Sequence, residues 1–367
     1  TSVLYNNVTD VYTIRSTAKV GRADKIDLVE LSAGAGTTFN YGLQAGNGGF
    51  ELVNSASITG NAFANGAIVG QGSSMIYGDV ISAGPSGIIS EITATGSAWA
   101  NTLDKSDIDG SVWVNTLNDS LVGGDAYYNV VGVPSTVTGT RYTPYTYTAI
   151  DPIPLPIPDS EISGWETTIQ NTGTIIPATS CSGGEYLINS NTTLGNVKIE
   201  CNLRVRKQGA STVLTLTGPI WVTGNITLEQ GPTLQISSTL GRRSVQVIAD
   251  NPSNRLTSSK FNIGNSTQFV GSGHASSFIM LVSQNNAAEM GDSDEAIDIN
   301  QSSNGDLILY AGHGRVDINN QIYLKSVTGY EIEIGNNSDI TYDTGLSSVL
   351  FTGGPGGGYV ISDWYQE

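Results

Sequence analysis

Apolar residues alternate with polar ones in short bursts along the chain, and the bursts recur. In the second half they read "ITLEQGPTL" (226–234), "FNIGNSTQF" (261–269), "IDINQSSNGDL" (297–307), "VDINNQIYL" (316–324) and "IEIGNNSDI" (332–340). Each is a strand of period two, a polar Asn/Gly corner and another strand. The inward pairs are Ile226/Leu228, Phe261/Ile263, Ile297/Ile299, Val316/Ile318 and Ile332/Ile334. Successive starts lie 35, 36, 19 and 16 residues apart, so each long interval is expected to hold two windings of the chain.

The first half repeats a related unit: "GNAFANG" from Gly60, "GDVISAG" from Gly78, "GSAWANT" from Gly96, "GSVWVNT" from Gly110 and "GDAYYNV" from Gly124. A weaker copy begins at Gly139, and the spacings are 18, 18, 14, 14 and 15. That period is too short for helical repeats or propeller blades. It fits one winding of a small solenoid with three short strands, which buries its inward residues only against the windings above and below. The expected fold is all-β, a right-handed parallel β-helix. The recurring Gly is expected to supply positive φ at a corner, with Asn stacking beside it. Twelve to fifteen windings would give a rod of roughly 60–70 Å if both regions are coaxial; the pattern also allows them to lie side by side.

Three segments depart from the repeat. Residues 11–31, "VYTIRSTAKVGRADKIDLVEL", predict an N-terminal β-hairpin around "GRAD". Pro152, Pro154, Pro156 and Pro158 make 144–158 a stiff extended connector. It leads into one short helix in "DSEISGWETTIQNTG", capped by Asp159 or Ser160, with Ile162, Trp165 and Ile169 on one face and Gly173 closing it. After "GGPGGG" the aromatic end "YVISDWYQE" is expected to cover the last open winding. The organisation expected is 1–44 as the hairpin region, 45–143 as a first β-helix segment and 144–180 as connector and helix. A second segment fills 181–352, and 353–367 forms the terminal turn and capping strand.

Composition narrows the function classes. The 367 residues include 45 Gly, only 13% are charged, and the net charge is −17. That sign repels phosphate backbones and anionic lipid, so no nucleic-acid partner is expected. Cys181 and Cys201 are the only cysteines; a disulfide between them would stabilise by about 3 kcal/mol and place the protein in an oxidising compartment. No run of apolar residues is long enough to span a membrane. The sequence opens at Thr1 without Met, and removal of a preceding segment is expected. Sequons at Asn7, Asn118, Asn191, Asn225, Asn265, Asn300 and Asn336 follow from a Thr/Asn-rich corner composition.

Candidate chemistry is sparse. Asp292, Asp294, Glu295 and Asp298 in "GDSDEAID" form the nearest carboxylate cluster. Asp292, Asp294 and Asp298 suit a structural calcium ion at most, and His274, His313 and Arg315 could reach the cluster from neighbouring windings to serve a hydrolase or lyase. "DKSDIDG" (104–110) lacks the spacing of a calcium loop. Arg204, Arg206 and Lys207 in "LRVRKQG" make an outer face or a dock for an acidic neighbour. No catalytic or cofactor-binding residue stands out, and no cofactor is expected.

The succession "FNYGLQAGNGGFEL" (39–52), the G-[NDS]-[AV] repeats, "PIPLPIPDSEISGW" (152–165), "LTGPIWVTGNITLE" (216–229) and "GGPGGGYVISDWYQE" resembles pilin-like type IV pilus assembly (PilX-like) proteins of small-genome bacteria. In those proteins a hydrophobic N-terminal helix, without counterpart in this sequence, precedes a β-helical exported region. The resemblance covers most of the chain and implies an extracellular, cell-surface role; it carries over no catalytic residue. The expected function is a structural subunit that self-assembles into, or decorates, a surface filament, with the strand in "TSVLYNNVTDVYTI" adding to a neighbouring copy. The alternatives are a pilus-tip adhesin holding a surface glycan or protein, and a carbohydrate-active β-helix enzyme.

Overall fold

The computed structural model describes residues 2–6, 11–20, 23–33, 39–209, 211–342, 346, 351 and 359–366. Almost every element is a strand, and the long sheets are parallel. From residue 43 to 142, and again from 174 to 341, the chain winds so that each turn lays three short strand runs onto those of the turn before. The first and second runs form a 22-stranded sheet, and the third runs form a 13-stranded sheet. Thirteen rungs at about 4.8 Å give a stack about 58 Å long.

The expected inward pairs form continuous columns. Leu203, Ile226, Phe261, Ile297, Val316, Ile332 and Phe50 stack in register, as do Val205, Leu228, Ile263, Ile299, Ile318, Ile334 and Leu52. All are buried in one core. The pairing corrects the expected winding count. Ile226 pairs directly with Phe261, and Phe261 with Ile297, so each long interval is a single rung. The surplus residues leave the stack as outward loops at 250–260 and 284–294, the turn-rich stretches between Val245–Ala249, Phe261–Ile263, Ile279–Ser283 and Glu295–Ile299.

The two repeat regions are coaxial but stacked in reverse order. The third-run sheet begins at Thr192–Leu194, proceeds to Asp339–Thr341, passes straight to Ser57–Thr59 and ends at Thr136–Val137. At the joint Val327 pairs with Leu43, Ile332 with Phe50 and Ile340 with Ile58. The connector therefore has to travel back along the outside of the stack. Its hydrogen bonds trace that path: Tyr145 N to Tyr128 O, Gly84 N to Ile150 O, Asn65 Nδ2 to Ile153 O, and Gln44 Nε2 to Pro154 O. The helix Asp159–Thr172 (α1) follows and lays Ile162, Trp165 and Ile169 on Trp221, Ile248 and Met280.

Two details of α1 differ from expectation. Pro158 precedes the helix and no side chain caps it, because Asp159 is already in the first turn and turns its carboxylate to His313. Gly173 is extended (φ −89°) rather than left-handed. It is required because a Cβ there would lie 2.4 Å from Asn196 O of the next rung.

The repeated glycines need the same correction. Of the six, only Gly60 has positive φ. Each of the others donates its N–H to, or packs against, the glycine one rung before, and a Cβ at Gly78, Gly96 or Gly110 would sit 2.4 Å from a backbone atom of that neighbour. The conformation with positive φ falls instead on Glu91, Lys105 and Asp119 at another corner.

The hairpin forms, with Val11–Val20 antiparallel to Ala23–Ala33. Ser2–Asn6 adds on one side and Tyr359–Gln366 on the other. The last strand thus completes this small sheet instead of lying across the final full winding, 126–137, on which Arg141–Tyr142 stacks. "GGPGGG" lies outside the described residues.

Candidate functional site

The carboxylates of "GDSDEAID" do not converge. Asp294 pairs with Lys260 at 2.6 Å, and Asp298 accepts from Asn300 and Asn319 at 3.0 and 3.2 Å. Among the described residues no group of three or more His, Cys, Asp or Glu side chains is arranged to hold a metal ion. Of the residues expected to approach, His274 is exposed and accepts from Ser276 N, His313 faces Glu289 and Asp159, and Arg315 turns to Glu331 and Glu333. Arg204 pairs with Glu185 at 3.1 Å, and Arg204 and Arg206 both reach Glu229. Cys181 and Cys201 are bonded, which fastens the exposed 177–184 loop of the first rung to the corner of the second.

Apart from His313 and Asp159, the polar groups that do converge were not singled out by the sequence. α1 carries Glu166 on its buried face, where it is 7% exposed. Burial first, and then the charge and hydrogen bond of the fully buried Asp250, raise its pKa to about 9. Arg255 clamps Asp250 through Nε at 2.8 Å and Nη2 at 2.7 Å. The junction therefore holds one carboxylic acid, one carboxylate and one guanidinium. Trp221 Nε1 donates to Asp250 O at 3.0 Å, and Lys198 Nζ stands 4.5 Å from the Trp221 ring centre. At the start of α1, His313 lies between Glu289 (Nδ1, 2.6 Å) and Asp159 (Nε2, 2.9 Å). Burial lowers its pKa, but the two carboxylates outweigh that and raise it. Trp165 on α1 was the sequence signal nearest this junction; Asp250 and Arg255, the partners of the neighbouring Glu166, lie more than 80 residues further along the chain.

Two outward columns cross the 22-stranded sheet. Along the first runs, Trp99, Trp113, Tyr127 and Tyr142 stack at 4.8, 5.3 and 4.4 Å with planes within 4° of parallel. Their spacing of 14, 14 and 15 residues is the signal that the sequence did contain. Along the second runs, Asp298, Asp317, Glu333 and Glu51 occupy successive rungs beside Arg315. Burial, then the Glu333 charge, raises Asp317 to about 6.

No family model matches the sequence, and no curated protein matches it. Among solved structures it is similar to the competence-associated pilin ComZ from Thermus thermophilus, at 10% identity and a TM-score of 0.23, over 100% of this chain and 83% of that one. A likeness at that level carries no argument about fold or activity.

Proposed function

We propose that the chain is an exported structural protein of the cell surface, a pilin-like subunit that assembles into, or decorates, a filament. Its body is proposed to be a right-handed parallel β-helix, the hand that parallel crossover connections follow. The observation that carries the reading is the continuous stack: thirteen third-run strands share one core, and a disulfide fastens its first rung. A stiff rod with a stapled end suits a load-bearing surface element, and a disulfide persists where the surroundings are oxidising. Contacts between copies are proposed to use the small sheet, whose Ser2–Asn6 strand pairs with Val11–Val20 and leaves its other side as an edge.

Fractionation of the native cells and immunogold microscopy test this. Surface label, together with a Cys181–Cys201-linked peptide from freshly alkylated protein, is expected. Cytosolic protein with both thiols alkylated would contradict it.

One observation favours a second reading. The row Asp298, Asp317, Glu333 and Glu51 with Arg315 gathers four carboxyl groups and a guanidinium on one face, Asp317 being raised to about 6, as suits a β-helix polysaccharide lyase or hydrolase. Turnover of a polysaccharide by the purified chain, abolished by Asp317→Asn, would establish it.

A further inference from the structure

We propose that the outer face of the 13-stranded sheet, which no described helix or connector covers, binds an uncharged, extended polysaccharide along the stack axis. This goes beyond the surface reading and does not depend on filament assembly.

The faces of the stack differ in what already occupies them. The first-run columns are mostly apolar and carry the connector and α1. The second-run column is a charged row whose acids are partly matched by Arg315 and Arg204. No helix or connector hydrogen-bonds across the third-run strands among the described residues. There the outward positions are mostly hydroxyl and amide groups, as in the successive partners Thr233, Gln268 and Asn304.

Val270, Leu121 and two tyrosines interrupt this polar surface, and the tyrosines are its aromatic positions. Tyr323 is 54% exposed and Tyr77 is 49% exposed. Tyr323 pairs with Asp339, Asp339 with Ser57, and Ser57 with Met75 on the strand that carries Tyr77. The two rings are thus three rungs apart, about 14 Å along the axis. In the Trp99–Tyr142 ladder the ring faces cover one another. Neither Tyr77 nor Tyr323 stacks on another ring among the described residues, so both keep a free face.

Beside Tyr323 lies a groove of about 350 Å³ walled by Asn304, Asp306, Lys325 and Thr341. Among the described residues, Lys325 forms no ion pair and the Tyr323 hydroxyl no hydrogen bond. A free aromatic face flanked by donors that have no partner among the described residues and by carboxylate and amide acceptors matches a sugar ring, which has an apolar C–H face and a rim of hydroxyls. The net charge of −17 repels a polyanion, and one ammonium opposite Asp306 leaves no excess of positive charge for one. An uncharged chain is the occupant that fits. Its length matches a straight face better than a compact ligand would.

The test is affinity electrophoresis of the intact chain in native gels containing hydroxyethylcellulose or xyloglucan, with polygalacturonate as the polyanion. Retardation by at least one neutral polymer is expected, with none by polygalacturonate. Tyr323→Ala should weaken it at least fivefold, and Tyr77→Ala combined with Tyr323→Ala should abolish it. Both side chains are half exposed, so circular dichroism should be unchanged. Migration unaffected by both neutral polymers, retention by polygalacturonate instead, or retention that survives the double change would each overturn the proposal. The cell-fractionation result stands or falls separately.

Discussion

Glu166 keeps its proton where most glutamates lose it, because the helix presses it into a dry seam against a carboxylate already held by Arg255. The unfolded chain releases that proton near pH 4.5, the folded one near 9. The folded state therefore binds the extra proton across that window, and its stability falls as pH rises through it. His313 acts in the same direction. Its raised pKa stabilises at low pH, and that contribution disappears as pH rises through the folded value. Glu166→Gln removes the larger of the two dependences. Thermal melts from pH 5 to 9 should show a falling Tm for the parent and a flatter profile for the variant, with the variant more stable at pH 9. Equal slopes would mean that Glu166 is ionised in the fold. Glycine is the other residue with an outsized part. Gly110→Ala places a methyl 2.4 Å from Gly96 O and should cost about 2–3 kcal/mol, seen as a lower midpoint in urea, although its φ needs no glycine.

At the scale of elements, what was legible was what repeats locally. The alternation at Ile297/Ile299 or Ile332/Ile334 names the inward face of a strand whatever it stacks on, and those pairs do form the columns. The 14-residue recurrence of Gly96, Gly110 and Gly124 likewise fixes one corner per rung. The long intervals misled because a loop such as 250–260 adds residues without adding a rung, and nothing local separates a looped-out segment from a winding. The terminal rung shows how an open end is managed. Val130, Val131 and Val133 are exposed there, an invitation to edge-on pairing. Arg141, however, pairs with the buried Ala126, so a cation occupies the next position of an inward column, held by a bond to Ser135 O. Pro134 adds an edge position without an N–H donor. Arg141→Val should therefore promote self-association, read as larger species in sedimentation velocity at micromolar protein. An unchanged distribution would mean that the end is blocked by something else.

For the whole molecule, the order of the stack was not legible at all. Parallel backbone pairing carries no label saying which rung comes next. The winding 326–341 could have met 43–59 or lain apart from it with the same strand pattern. The return path was half visible: alternating prolines announce a stiff connector, and Trp165 an anchored helix, but not that both run back along the rod. The consequence is mechanical. Sequence-distant halves are joined through the 43–59 and 326–341 rungs, through the connector and through the pairing of 27–33 with 359–366. Unfolding should then be one cooperative event rather than two.

The claim beneath all of this is that one continuous core runs through a joint between segments nearly 300 residues apart. Disulfide trapping reads that joint directly. Glu51 and Glu333 are register partners on adjacent rungs, whereas Asp298 lies three rungs from Glu51. The double change Glu51→Cys with Glu333→Cys should cross-link almost completely under mild oxidation, with the linked peptide found by mass spectrometry, while Glu51→Cys with Asp298→Cys should not. Failure of the first pair to link, or equal linking of both, would contradict the stack.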